Sequence, residues 1–237
     1  MSGEHDELLF IVVHQAHELW FKELLHELAE LQRQLVIGES FPALRTLQRA
    51  LAIVRVVISQ IDVIETLTAR QFAAFRSRLG TSSGFQSAQF REIEAVLGRR
   101  DSKMLQGIPE RADRDRVEAA MNRPSVFDSL LAYLDVQGYQ LPADGLYRNV
   151  RLPAQPTRQV QDVLLRVYCD DAAPAQVCEL LVSLDESLQE WRYRHIKMVE
   201  RIIGARPGTG GSTGAAYLYK TITEPAFPDL WAMRSRL

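Results

Sequence analysis

One histidine, His195, lies in the segment "WRYRHIKMVERIIGARPGTGGSTG", in a helical pattern that precedes a glycine-rich run. Trp191 stands four residues before His195 and Val199 four after it, so His195 belongs to the apolar stripe of that helix. Such an imidazole is either a core side chain with a hydrogen-bond partner or a metal ligand. No other His or Cys follows at metal-site spacing, so a local zinc site is poorly supported. A single imidazole on an apolar helix face is, however, what non-covalent haem requires.

A second histidine constellation occurs near the start, in "FIVVHQAHELW". Phe10 and His14 are four residues apart and are expected to share one helix face, whereas His17 is expected on a different part of the surface. His14 is either a core histidine or a polar group that orients a ligand in an apolar pocket. The spacing of His14 and His17 also allows a metal pair on one helix.

An arginine with two possible roles begins the segment "RSRLGTSSGFQSAQFREIE". Arg76 follows Phe72 and Phe75, and an arginine beside aromatic residues is commonly a surface side chain whose stem covers apolar area. It can instead bind a ligand carboxylate through two parallel hydrogen bonds. The surrounding pattern predicts a helix, a tight Ser/Gly turn and another helix.

The glycine-rich segment "GTGGSTG", residues 208–214, has no lysine and follows no strand, so it is a weak phosphate-binding motif. Its glycines allow the backbone to approach a ligand closely. The alternative is a flexible surface loop.

The elements that must position these residues are helices. Apolar residues recur at steps of three and four through about 6–36, from Ser40 to beyond Ile61, and through about 174–203. The pattern predicts shorter helices at about 69–78, 87–97, 113–122, 125–136 and 159–167. The proline-dotted segment 141–156 is apolar enough to be a packed connector. Strand signals are nearly absent, so the sequence predicts an all-α fold of long packed helices.

The bulk composition excludes several classes of protein. The net charge of -2 offers no basic field for nucleic acid or for an anionic membrane. The two cysteines, Cys169 and Cys178, lack disulfide-framework and metal-site spacing. We see no signal peptide and no run of about 18 apolar residues that would span a bilayer. We therefore expect one domain over 1–237, in the cytoplasm.

Three stretches together resemble the tryptophan 2,3-dioxygenase family. They are "DELLFIVVHQAHELWFKELLHEL", "FRSRLGTSSGFQSAQFREIE" and "LQEWRYRHIKMVERIIGARPGTGGSTG", and their order and spacing agree along nearly the whole chain. The resemblance implies an all-α bundle that encloses a pocket for b-type haem. It also implies an enzyme that opens the indole ring of L-tryptophan with O2 and gives N-formylkynurenine, in the kynurenine pathway of tryptophan catabolism. A homotetramer is implied as well.

The resemblance also assigns roles to residues of this chain. It implies that His195 is the proximal iron ligand and that His14 is the distal histidine that hydrogen-bonds the indole N–H. Arg76 would pair with the substrate carboxylate, and Thr209 would contact the amino-acid end of the substrate. Phe10 and Phe72 would form the walls of the indole pocket. Ser83 would lie on the distal side of the haem.

Three departures from the family pattern bear on the product and the substrate. Family members have a stretch before "DELLF" that reaches a neighbouring subunit's active site, and it is missing from this sequence. His17 stands where a small or aromatic residue is expected, and the middle of the chain, 99–156, is compact. One alternative is therefore a related haem monooxygenase that forms an oxindole or hydroxylated product from tryptophan or a similar amino acid. Another alternative is a haem sensor. Arg76 and Thr209 are evidence against it, because a sensor needs no residues that bind the amino-acid end of a substrate.

Overall fold

The computed structural model describes residues 3–79, 86–204, 206, 219, 222 and 224–237, and no strand occurs among them. In chain order the helices with described bounds are α1 (His5–Val36), α2 (Ser40–Ile64), α3 (Ala69–Arg76), α4 (Ala88–Leu97), α5 (Arg111–Met121), α6 (Val126–Val136), α7 (Ala143–Leu146), α8 (Arg158–Asp170), α9 (Ala173–Ile203) and α10 (Pro228–Ala232). Short 3₁₀ helices lie at Ser102–Leu105 and Met233–Arg236. The prediction of an all-α fold is confirmed.

The three long helices form where the apolar period predicts them. In α2 one stripe is buried from end to end, and it includes Ala43, Leu47, Val54, Ile58 and Ile61. This stripe packs against α1 on one side and α9 on the other, and each fully buried aliphatic side chain contributes about 1.5–3 kcal/mol relative to an exposed one. The packing of α1, α2 and α9 therefore sets the frame to which the shorter helices attach.

The shorter helices begin at side chains that cap their first turns. Thr68 and Gln71 form a reciprocal capping box at α3, and Ser125 and Asp128 form another at α6. Ser87 accepts a hydrogen bond from a backbone N–H in the first turn of α4. All five predicted short helices are present, with ends that differ from the prediction by at most three residues, which is normal where helix ends fray.

The connector between α6 and α8 is packed, as predicted, and several hydrogen bonds attach it to the rest of the protein. Arg148 binds Asp128 with two hydrogen bonds of 2.6 and 2.9 Å. The guanidinium of Arg100 donates to the carbonyl oxygen of Val150 at 2.7 Å. Apolar residues of the connector, Leu141, Leu146 and Ala154, pack against the main core.

Two buried carboxylates hold the chain terminus against the bundle. Asp185 of α9 accepts hydrogen bonds from the backbone N–H of Ala226 and from the indole N–H of Trp231, both at 2.9 Å. Asp229 of α10 accepts the backbone N–H of Thr157 at 2.7 Å. No helix in the described part of the chain has the length and apolar character needed to cross a membrane.

Candidate functional site

A small apolar cavity lies where α1, α2, α4 and α9 meet. It encloses a free volume of about 70 Å³, and its described lining is Val13, His14, His17, Glu18, Phe21, Ile61, Ile64, Ser87, Phe90, Trp191, His195 and Met198. Three imidazoles therefore face one cavity, although they come from opposite ends of the sequence. The sequence alone singled out His14 and His195, and the tertiary fold brings them to the same place.

Helix α1 fixes the orientation and the protonation of His14. Its Nδ1 lies 2.7 Å from the carbonyl oxygen of Phe10, one turn earlier. A carbonyl oxygen only accepts, so Nδ1 carries the proton and Nε2 is left as a hydrogen-bond acceptor. Burial lowers the pKa of His14 below its ordinary value, more than the bond to Phe10 raises it. At neutral pH His14 is therefore a neutral imidazole whose free acceptor suits an N–H donor.

His17 lines the same cavity, so the expectation that it lies on a different part of the surface is wrong. The rings of His14 and His17 are 6.5 Å apart between centroids. Residues three apart on a helix are neighbours on its surface, which explains the result. The Nδ1 of His17 donates to the carbonyl oxygen of Val13 at 2.8 Å, and burial lowers the pKa of His17 as well.

His195 is a neutral imidazole on the apolar wall of the cavity. Burial, followed by the nearby His14 and His17, lowers its pKa to about 4. Its ring lies flat against the indole of Trp191, with centroids 5.3 Å apart and planes 1° from parallel. A neutral imidazole has a free nitrogen lone pair, so His195 can ligate a metal without losing a proton first.

An aromatic cluster adjoins the cavity beside His14. The ring of Phe10 lies 4.1 Å from that of His14 and 5.6 Å from that of Phe72. Phe75 completes the cluster, 5.7 Å from Phe10. The partly buried Arg76 follows directly and ends α3. Phe10 contacts His14 directly and Phe72 contacts Phe10, but neither of them, nor Arg76, is among the described residues that line the cavity.

Two of the residues assigned by resemblance, Ser83 and Thr209, lie outside the described residues. The neighbouring Ser87, which caps α4, does line the cavity. The roles of Ser83 and Thr209 therefore stay predictions.

A buried ion cluster joins α4 to α9 behind the cavity wall. The carboxylate of Glu94 accepts hydrogen bonds from Arg91 at 2.6 Å, from Arg99 at 2.9 Å and from Arg192 at 3.0 Å. Burial by itself raises the pKa of Glu94, but the three guanidinium groups together lower it below its ordinary value. The cluster therefore ties α4, which carries Phe90, to α9, which carries Trp191.

The metal-ligating side chains of the site suit an iron that is held mainly by a porphyrin ring. Across the described ranges, no three His, Cys, Asp or Glu side chains are grouped to hold an ion by themselves. A b-type haem needs one axial imidazole and an apolar, aromatic surround, and His195 with its neighbours supplies both.

Sequence reasoning missed much of the cavity wall. Phe21, Phe90 and Trp191 form one aromatic group, with Phe90 and Trp191 centroids 4.7 Å apart. Their signal was present as apolar positions on the stripes of three helices, but a stripe position does not distinguish a cavity wall from the packed core. Glu18 also lines the cavity and accepts a hydrogen bond from Gln89 at 2.7 Å, and no local pattern in the sequence marked it.

Comparison with known proteins agrees along the whole chain. The family model described as Tryptophan 2,3-dioxygenase matches residues 2–132 and 112–237. A tryptophan 2,3-dioxygenase of Anaeromyxobacter dehalogenans strain 2CP-C is 59% identical over 240 residues, which cover 100% of this chain and 89% of that protein. Tryptophan 2,3-dioxygenases of Herpetosiphon aurantiacus and Caulobacter vibrioides are 48% and 42% identical, over 99% and 100% of this chain and 90% and 92% of those proteins. The chain belongs to the tryptophan 2,3-dioxygenase family.

Proposed function

We propose that this protein is a haem-dependent dioxygenase that inserts both atoms of O2 into the indole ring of L-tryptophan and gives N-formylkynurenine. Family membership over the full length of the chain supports the reaction. The observation that carries the proposal is that His195 and His14 face one apolar cavity from opposite helices. One of them can bind iron and the other can accept a hydrogen bond from the substrate.

Haem b, when bound, supplies the redox chemistry that activates O2, and the protein supplies binding and orientation. His195 would be the axial ligand, since it is neutral and its surround is apolar. His14 orients the substrate, because its Nε2 is a fixed acceptor for the indole N–H and its Nδ1 is already bonded. The apolar and aromatic lining keeps water away from the reacting ring.

The other end of the substrate is a zwitterion and needs charged and polar partners. Arg76 would pair with the carboxylate, because a guanidinium binds a carboxylate through two parallel hydrogen bonds. Thr209, in the glycine-rich segment, would contact the same end of the substrate, and Ser83 would lie on the distal side of the haem. Phe10 and Phe72 would wall the indole, since the ring of Phe10 packs against His14 and the ring of Phe72 packs against Phe10. We extend the proposal to a cytoplasmic homotetramer in tryptophan catabolism, on the strength of the family resemblance.

We expect the ferrous, haem-loaded protein to place two labelled oxygen atoms in its product when it turns over L-tryptophan under ¹⁸O2. Dioxygenation takes both atoms from one O2 molecule and consumes no external reductant. Mass spectrometry counts the labels. One labelled atom in an oxindole or hydroxylated product would contradict the proposal and would favour a monooxygenase.

We expect His14→Ala to slow turnover by roughly ten- to a thousandfold without abolishing it, because accurate positioning contributes on that order. The product should still carry two labelled atoms. His26→Ala, which removes an exposed histidine from the same helix, is the matched control and should leave turnover unchanged. Complete loss of turnover in a haem-replete His14→Ala protein would show that His14 is obligatory, and not only an orienting group.

We expect Arg76→Leu to weaken L-tryptophan binding by about 2–4 kcal/mol, the usual cost of removing one partner of a desolvated charge pair. Binding of tryptamine, which has no carboxylate, should change little. Calorimetric titration of both ligands into the haem-loaded protein measures the two affinities. Arg70→Leu, an exposed change on the same helix, is the control. Equal losses for tryptamine and tryptophan would indicate that Arg76 has a structural role.

A further inference from the structure

Trp191 forms an offset, parallel ring contact with His195. The two residues are one turn apart on α9, and their rings are stacked with centroids 5.3 Å apart and planes 1° from parallel. A rotation of the imidazole about its side-chain bonds would break this contact. The indole therefore restricts the plane in which the His195 ring can lie.

Other aromatic rings in turn hold Trp191. Phe90 of α4 lies 4.7 Å away and Phe21 of α1 meets the indole edge-on at 5.9 Å. The indole Nε1 is buried and finds no hydrogen-bond acceptor among the described residues. Ring packing, and not a directional hydrogen bond, thus sets the position of Trp191.

His195 differs from the other two histidines of the cavity in how it is held. His14 and His17 each donate Nδ1–H to a carbonyl oxygen one turn earlier. In the described part of the chain, the ring of His195 contacts the indole of Trp191. Histidines that ligate metals usually donate their second ring N–H to a carboxylate, a carbonyl or water, which fixes the ring. Among the described residues, the stack on Trp191 is the contact available to hold the His195 ring.

We propose that Trp191 is a positioning residue that fixes the plane of the His195 imidazole by stacking, and so sets the geometry and strength of the bond between His195 and haem iron. This inference rests on the proposed role of His195 as the axial ligand. Trp191 acts through His195, braced by Phe90 and Phe21.

The test compares Trp191→Leu, which removes the stack, with Trp191→Phe, which retains a stacking ring. Resonance Raman spectra of the ferrous full-length protein report the stretching frequency of the iron–histidine bond. We expect a shifted or split band in Trp191→Leu and a single band close to that of the unaltered protein in Trp191→Phe. Haem affinity should fall about 10–100-fold in Trp191→Leu, as when other partners of a ligand histidine are removed, and much less in Trp191→Phe.

Trp231→Leu is the matched control, because it removes an indole of equal size that contacts Asp185 at the chain terminus. It should leave the iron–histidine band unchanged. If Trp191→Leu does not fold, Phe90→Leu is measured instead; it removes the brace but leaves Trp191 in place, and we expect a broadened band. An unchanged band in whichever of these two variants folds overturns the inference.

A measurement without haem separates this inference from the proposed function. The ring current of the nearby parallel indole shifts the resonances of the His195 ring protons in the haem-free protein, and this shift should disappear in Trp191→Leu. If the unaltered protein binds no haem, or binds it equally well in His195→Ala, the proposed function fails and the positioning role fails with it. If haem binding requires His195 but the iron–histidine band is the same in Trp191→Leu as in the unaltered protein, only the positioning role is wrong.

Discussion

His195→Ala is expected to lose nearly all of its haem, and with it all turnover, while it remains helical. The reason is that a b-type haem has no covalent attachment and depends on its axial imidazole and apolar contacts. The ratio of the Soret absorbance to the protein absorbance measures haem content, and far-ultraviolet circular dichroism checks the fold. A full Soret band with an unchanged axial ligand would show that another residue binds the iron.

His195→Gly offers a complementary experiment with the same residue. Imidazole added from solution can occupy the space that the side chain leaves, so haem binding should return in proportion to the imidazole concentration. His26→Gly, which changes an exposed position of α1, should neither lose haem nor respond to imidazole. Failure of imidazole to restore haem in a folded His195→Gly protein would indicate that the residue acts on the fold.

Glu94→Gln is expected to lower the free energy of unfolding by about 3–5 kcal/mol, the range for removing one partner of a buried ion pair. The change conserves shape but leaves Arg91, Arg99 and Arg192 around an uncharged amide. Urea unfolding at neutral pH measures the difference. Glu30→Gln, which breaks the exposed pair with Arg33, is the control and should leave stability unchanged.

The pH dependence of this difference follows from the pKa of Glu94. That pKa is lower in the folded protein than the ordinary value of 4.5, so the unfolded chain binds the proton more readily. The stabilisation is fully present above pH 4.5 and is lost as the pH falls through the folded pKa. The two proteins should therefore become more alike in acid. A difference that grows in acid would contradict the assignment of a charged Glu94.

Local sequence signals predicted the helices well, because each depends on residues close together in the chain. The period of Leu47, Val54 and Ile61 predicted α2 over nearly its full length. The helix predicted at about 125–136 begins within one residue of the first residue of α6, Val126. The all-α class followed from these features without any resemblance.

The ion cluster and the cavity wall were not predictable in the same way. Glu94 and Arg192 are 98 residues apart, and nothing in either neighbourhood of the sequence marks the pair. The aromatic group of Phe21, Phe90 and Trp191 contains one ring from each of three helices. Helical periodicity says which face of each helix is apolar, but not which rings will meet.

The sequence by itself determined the helical class, the apolar face that carries His195 and the pairing of Phe10 with His14 one turn later, because these are properties of single helices. Through its three motifs it also determined the family resemblance. Only the tertiary structure decided that His14, His17 and His195 share one cavity, that Trp191 stacks on His195 and that Glu94 ties α4 to α9. Those contacts depend on how whole helices pack, and the packing geometry arises from the summed burial of side chains spread over the entire chain.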